Sequence, residues 1–368
     1  MVTGIVLNNF KCFARQEIDL AQLTLFTGLN NSGKSSVFQA IRMISKWRKG
    51  IDPILAGYGS LYECKNKNSA ANSSMEIVCK FSNKKTSAMR VDFSDTSKPL
   101  INSVDEDCEI LPLLSYLSAD RWGPRVSLPL YISSNELSNV GDYGEYVLDY
   151  LTRHENDIVP PLLRHPNAEG ETLEYNVRAW LGEISPNVLF KHASEVLRDS
   201  SFATLDGFRP TNTGFGLSYA LPIIVTLLGI ASSGANQEGA ANPSQNSCNP
   251  LILIENPEAH LHPRGQVKMG MLLAKASKSG LQVLVESHSD HIFNGLRIAV
   301  HGGVLAHDEV KVYFFSRDDV GMSKIISPKM NKDGRIDKWP DGFFDEWDKA
   351  LDKLLFPSEV TNGIDIQR

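Results

Sequence analysis

"LTLFTGLNNSGKSS", residues 23–36, decides the fold. The apolar-rich run "LTLFT" reads as a strand that stops at Gly28. From Lys34 to about Lys49 the apolar residues fall at helical spacing until Gly50 ends the pattern. Between strand and helix lies Gly28-x-x-x-x-Gly33-Lys34-Ser35, and strand, glycine loop and helix in that order are the context in which this spacing holds phosphate. The N–H groups of such a loop and of the helix start wrap the phosphates. Lys34 adds a point charge at the β- and γ-phosphates, and the Ser35 hydroxyl reaches a magnesium ion. The nucleotide-binding set expected here is Gly28, Asn30, Asn31, Ser32, Gly33, Lys34, Ser35 and Ser36. A chance glycine turn before an amphipathic helix would not explain the acid-tipped strand downstream.

That strand is "LILIENPEAHLHP", residues 251–263. Four apolar residues deliver Glu255 as a magnesium-binding acid. The next position, where a water-activating acid commonly follows, is Asn256. Either ATP is bound and poorly hydrolysed, or the base lies elsewhere. A second buried strand, "LQVLVESHSDHI" (281–292), ends in Glu286, Ser287 and His288. A histidine there can hydrogen-bond a γ-phosphate or the attacking water; the plainer reading is a satisfied core histidine. "TNTGFGLSYALP" (211–222) puts Gly214, Gly216 and Ser218 at a helix start, an anion site by its N–H groups and dipole. One phosphate cradle already exists, so a second implies a dimer in which each Ser218 caps the partner's γ-phosphate. An N-capped core helix is the simpler alternative.

The rest of the chain sets bounds. Its 368 residues allow two or three domains, or one large α/β domain with a lobe. A composition 42% hydrophobic and 22% charged supports a proper core. The net charge of −6 argues against a generally basic nucleic-acid coat but allows a local basic groove, with "KWRK" and Arg121/Arg125 as candidates. Five scattered cysteines without CxxC spacing read as reduced thiols of a cytoplasmic protein. No run of about 18 apolar residues stands out, so no membrane span is expected. "SSMEIVCKFS" and "AMRVDFS" alternate as antiparallel strands, residues 140–200 read as mostly helical, and 232–250 as a small-polar loop.

Taken in order, "NFKCF", "GLNNSGKSS", "GFGLSYALP", "LILIENPEAHLHP" and "VLVESHSDHI" resemble the SMC-like branch of the ABC ATPases. Within it the chain is similar to the small RecF- and OLD-like AAA-family ATPases of bacteria, those with a C-terminal tail of unknown function reading like "GFFDEW". The resemblance implies an α/β P-loop NTPase of ABC/SMC-head type, with a mixed central sheet, an N-terminal antiparallel sheet and a helical lobe. It suggests an ATPase lobe over 1–135, a helical lobe over 136–205, the signature, Walker B and switch-histidine lobe over 206–300, and a tail over 301–368. Gly28 to Ser36 become the Walker A loop, Gly214, Gly216 and Ser218 the signature acting in trans, Glu255 the Walker B acid beside Ser35 on Mg2+, and His288 the switch histidine. "NFKCF" would lie near the adenine.

Three departures matter. Glu255 stands where Asp is commoner, Asn256 replaces the usual catalytic glutamate, and no Q-loop glutamine can be assigned. Glu286 and Glu258 are the replacement bases, with Glu286 preferred because it adjoins His288. Their plainer roles would be a turn cap for Glu258 and a pair with Arg297 or His291 for Glu286. His260, His262, His288 and His291, with Glu258 and Asp290, also allow a transition-metal reading, which the expected family roles of His260, His262 and His288 disfavour. The short stretch after His291 lacks the carboxylates of a Toprim nuclease. The tail aromatics Trp339, Phe343, Phe344 and Trp347 read as packing or as a docking surface. The resemblance implies a slow, ATP-dependent switch, a head-to-tail homodimer or higher assembly, in DNA repair or anti-phage defence, with a separately encoded effector such as a nuclease and DNA as a candidate ligand. The alternative is an ATP-dependent protein-assembly regulator that touches no nucleic acid.

Overall fold

The computed structural model describes residues 1–94, 99–103, 111–133, 138–237 and 249–355. The chain opens with β1 (Val2–Phe10), β2 (Phe13–Asp19), β3 (Leu23–Gly28), α1 (Lys34–Arg48) and a short α2 (Leu61–Cys64). Then come β4 (Met75–Phe81), β5 (Thr86–Asp92), β6 (Leu100–Ser103), β7 (Leu114–Leu117) and β8 (Leu128–Pro129). Helices α3 (Val147–His154) and α4 (Leu173–Ile184) lead to β9 (Phe190–Glu195), β10 (Ser200–Leu205) and the long α5 (Phe215–Gln237). The remainder alternates: β11 (Leu251–Glu255), α6 (Pro263–Lys278), β12 (Gln282–Glu286), α7 (Asp290–His301), β13 (Val310–Arg317), β14 (Ser323–Ile326) and α8 (Glu346–Leu355).

The central sheet has the order β14-β13-β3-β12-β11-β7, parallel throughout except for antiparallel β14. Its inner strands are buried on both faces, which is why "LILIE" and "QVLVE" are continuous apolar runs and not alternating ones. Ile252, Ile254, Val283 and Val285 face one core with α5, α6 and α7. Leu251, Leu253 and Leu284 face a second core, with α1 and the antiparallel sheet β2-β1-β4-β5-β6. Helices α6 and α7 approach closely at Gly270 and Gly295, where an added Cβ would lie 2.4 Å from the Ile292 carbonyl and 2.3 Å from that of Val267.

Between α3 and α5 the fold departs from the mostly helical expectation. β9 and β10 form a hairpin that joins β8 in a three-stranded antiparallel sheet. Its strand signal is weak because the inward positions include His192, Ser194 and Ser201, which give little apolar contrast. The small-polar stretch expected to be a loop from 232 is helical through Gln237, and 238–248 lie outside the described residues. Cys108 and Cys248 also lie outside them, while among the described residues Cys12, Cys64 and Cys79 are in no disulfide. By length and composition alone helix α5 could cross a bilayer over Phe215–Ser233, a stretch the sequence reading did not single out, but 78% of that window is buried against the rest of the protein.

Candidate nucleotide site

The site lies at the carboxyl ends of β3, β12 and β11, where open parallel sheets place their ligands. β3 ends at Gly28 with φ 127°, a conformation and a place that exclude a side chain: a Cβ would stand 2.1 Å from the Phe315 carbonyl. Asn31 is left-handed at φ 60°, and Gly33 at φ 106° packs against Cys12 Sγ and the Phe13 ring. Ser32 Oγ donates to the Leu29 carbonyl at 2.6 Å and braces the loop. α1 then starts at Lys34, where the Ser36 N–H turns back to the Gly33 carbonyl at 3.1 Å, and the positive end of the helix dipole faces an anion in the loop.

Lys34 is 3% exposed. Its ammonium donates to the carbonyls of Gly28 (3.1 Å) and Leu29 (2.7 Å) and stands 4.0 Å from Glu286. Burial lowers its pKa, and the Glu286 charge opposes that shift. Ser35 Oγ donates to both Glu286 oxygens, at 2.8 and 3.1 Å. Glu286 is the direct neighbour of Glu255 across the β11–β12 ladder, and both are buried. Burial, then the Glu255 charge, pushes Glu286 up to about 7. Glu255 is also raised by burial, offset by the Ala119 N–H (3.1 Å) and the Tyr116 hydroxyl. Two adjacent buried carboxylates beside a hydroxyl form a hard-oxygen set that fits Mg2+, which takes one or two carboxylates and fills its shell with water and phosphate. Among the described residues no group of three or more His, Cys, Asp or Glu is placed to hold a metal.

The turn after β11 holds the remaining expected residues. Asn256 is left-handed at φ 44°; its N–H donates to the Glu286 carbonyl at 2.8 Å, and its side-chain Oδ1 is buried without a partner. Glu258 accepts from Ser287 Oγ and from the His288 N–H, both at 2.8 Å, and so fixes the end of β12. His288 keeps an exposed face at the loop; partial desolvation of its ring and then the Lys34 charge lower its pKa, while a hydrogen bond to the Gly28 backbone opposes this. Glu286 therefore pairs with Ser35 and Lys34, not with Arg297, which donates to the Gly334 carbonyl and Asn294. His262 caps α6 by accepting from the Arg264 N–H, and His260 stacks among Phe215 and Tyr219, so both rings have structural employment.

Gly214 precedes α5, and Gly216 and Ser218 lie in its first turn, with Ser218 half-buried. Phe10 and Phe13 of "NFKCF" are buried in the core, which leaves Asn9, Lys11 and Cys12 as the partly exposed part of that motif. Sequence reasoning missed Arg121. In "DRWGPR" it reads as a surface cation, yet it is 2% exposed and donates to the carbonyls of Ser118, Glu255 and Asn256. No local signal marks it, because only the fold brings β7 beside β11.

Strand, phosphate loop and helix, with an extra parallel strand between the loop strand and the acid strand, define a P-loop NTPase. The AAA ATPase domain family model matches residues 1–138 and 183–293, and the chain belongs to that family. A second model, described as a protein of unknown function (DUF3696), matches residues 305–354. No curated protein matches the sequence. Among solved structures, the SMC head domain from Thermotoga maritima is similar at 13% identity and TM-score 0.42, covering 88% of this chain and 98% of that one. An SMC head domain with an extended coiled coil, bound to the C-terminal domain of ScpA and derived from Pyrococcus furiosus, gives 14% identity and TM-score 0.47 over 96% and 99%. The recombination mediator protein RecF with ATP gives 12% and 0.42 over 89% and 99%.

Proposed function

We propose that this AAA-type ATPase is a slow, Mg2+- and ATP-dependent switch whose ATP-bound form is a head-to-tail homodimer. The single observation that carries the reading is the meeting of Lys34, Ser35, Glu255 and Glu286 at one sheet edge below the phosphate loop. In it the loop from Gly28 to Ser36 wraps the phosphates, and Lys34 turns its ammonium from the Gly28 and Leu29 carbonyls to the β- and γ-oxygens. Ser35 and Glu255 hold Mg2+, which when bound neutralises the phosphate charge. Glu286 sits at the edge of that set, beside His288 in sequence, and polarises the attacking water in place of Asn256. Glu258 orients His288 toward the γ-phosphate. The partner's Gly214, Gly216 and Ser218 close the site.

The work of the switch is passed to a separately encoded effector, a nuclease if the setting is DNA repair or anti-phage defence. One observation favours the second reading, an assembly regulator without a nucleic-acid ligand. The two basic clusters that suggested DNA are engaged in part by the fold, with Lys49 and Arg125 left exposed. Arg121 is buried, and Arg48 donates to Ser87, Ser103 and the Ala88 carbonyl. Titration calorimetry of wild type and Lys34→Ala with MgATP tests the core of the proposal. The variant should stay folded and bind at least about 10²-fold more weakly, the scale of a charge-assisted hydrogen bond of ~3 kcal/mol. Equal affinities would remove its basis.

A further inference from the structure

Arg121 has no part in the chemistry above, yet it is among the largest side chains buried in the protein. Its Nη1 donates to the carbonyls of Ser118 (2.7 Å) and Glu255 (2.6 Å), and Nη2 to that of Asn256 (2.7 Å). A buried guanidinium is costly unless its donors are met; these carbonyls meet both terminal nitrogens, while Nε is buried without a partner, and the fork so formed fixes the backbone at the tip of β11. Glu258 and Glu255 are the negative charges beside it, and with burial lowering its pKa to about 10 it stays a cation at neutral pH. The same guanidinium lies 5.7 Å from the ring of Tyr219 in the first turn of α5.

The turn from Asn256 to Leu261 is thus gripped from two sides. On one side Glu258 holds Ser287 and His288 at the phosphate loop. On the other, His260 lies 4.5 Å from the Tyr219 ring and 5.2 Å from that of Phe215, and Gly216 abuts the His260 carbonyl so closely that a Cβ would stand 2.7 Å from it. We infer that Arg121 is a positioning residue that ties the first turn of α5, and with it Ser218, to the tip of β11, so that nucleotide at the phosphate loop changes how that helix end is presented. The inference deepens the nucleotide reading above and rests on it. A close-packed turn with charge-assisted bonds to two successive carbonyls passes on a displacement of Glu255 as a body, where a loose one would absorb it. Lysine keeps the charge but cannot span the carbonyls with one ammonium.

The test uses wild type, Arg121→Lys and Tyr219→Leu, the last at a half-buried position. ATP affinity by calorimetry, kcat and KM, and hydrogen exchange of residues 215–220 with and without a slowly hydrolysed MgATP analogue are measured. Wild type should gain protection in that turn with nucleotide. Both variants should bind ATP within about threefold of wild type, lose at least about tenfold in kcat with little change in KM, and lose the nucleotide-dependent protection. The losses in the double variant should fall short of additive, since both act on one contact. If Arg121→Lys fails to fold, Tyr219→Leu decides alone: wild-type turnover and protection in it overturn the inference. ATP binding by wild type without any change at 215–220 overturns it while leaving the nucleotide reading intact, and no ATP binding at all overturns both.

Discussion

At Glu286 the geometry makes an energetic statement. A buried carboxyl raised to about 7, first by burial and then by Glu255, binds a proton in the folded protein that the unfolded chain has already released. Stability of the metal-free protein should therefore fall as pH rises from about 4.5 through about 7, by about 3 kcal/mol for this group. Glu286→Gln removes the like-charge repulsion, so its denaturation midpoint against pH should lack that decline; a wild-type slope in the variant would contradict the assignment. Catalysis gives the complementary test. With MgATP saturating, Glu286→Gln should bind ATP and turn over at least about tenfold more slowly, since general-base assistance is worth about 10² to 10⁴. Asn256→Ala should be milder, because an amide cannot take a proton from water at neutral pH. Single-turnover rates in which Asn256→Ala alone stops the reaction would make Asn256 the water-positioning group by itself.

Among the elements, α5 carries the sharpest expectations. Its glycines are not equivalent: a Cβ at Gly214 meets nothing within 4 Å, whereas one at Gly216 collides with the His260 carbonyl. Gly216→Ala should cost ~1–3 kcal/mol of overpacking strain, less what the better helix residue returns, while Gly214→Ala should be neutral in thermal unfolding. Ser218→Arg should leave ATP binding by the monomer intact and block nucleotide-driven dimerisation; sedimentation showing a wild-type dimer would exclude Ser218 from the partner's site. The regular elements of the site were legible from sequence. "LILIE" and "QVLVE" are strands because both faces are buried, and α1 stops at Arg48, just ahead of Gly50. The β9–β10 hairpin was not, because His192, Ser194 and Ser201 interrupt its inward apolar pattern, and β8, which joins it, comes from elsewhere in the chain.

For the whole molecule, the question is what the closed form acts on. With net charge −6 and Arg121 and Arg48 drawn into the fold, duplex DNA binding would rest on the exposed cations, Lys49 and Arg125 of the two clusters among them. Arg48→Ala should lower stability by ~1–2 kcal/mol through lost hydrogen bonds between α1 and the β5–β6 edge, and leave DNA affinity and its slope against salt unchanged. A reduced slope would restore the cluster as a DNA surface. The tail divides by position: Phe343 is fully buried against Phe293 and Phe314, while Trp347 on α8 is largely exposed, so packing and exposure both occur within a few residues.

The sequence by itself determined the phosphate loop, the acid strand, the order of elements around them and the absence of an acid at Asn256, because each is a local pattern of spacing and residue type. Only the tertiary structure decided the partners. Glu286 meets Ser35 because β12 lies between β3 and β11, a neighbourhood that 251 residues of separation conceal. Arg121 is interior because β7 flanks β11, and Ser218 sits within a helix turn clamped on His260. Burial and cross-strand adjacency are properties of the packed sheet, and they turn ordinary-looking residues into a charge-coupled site.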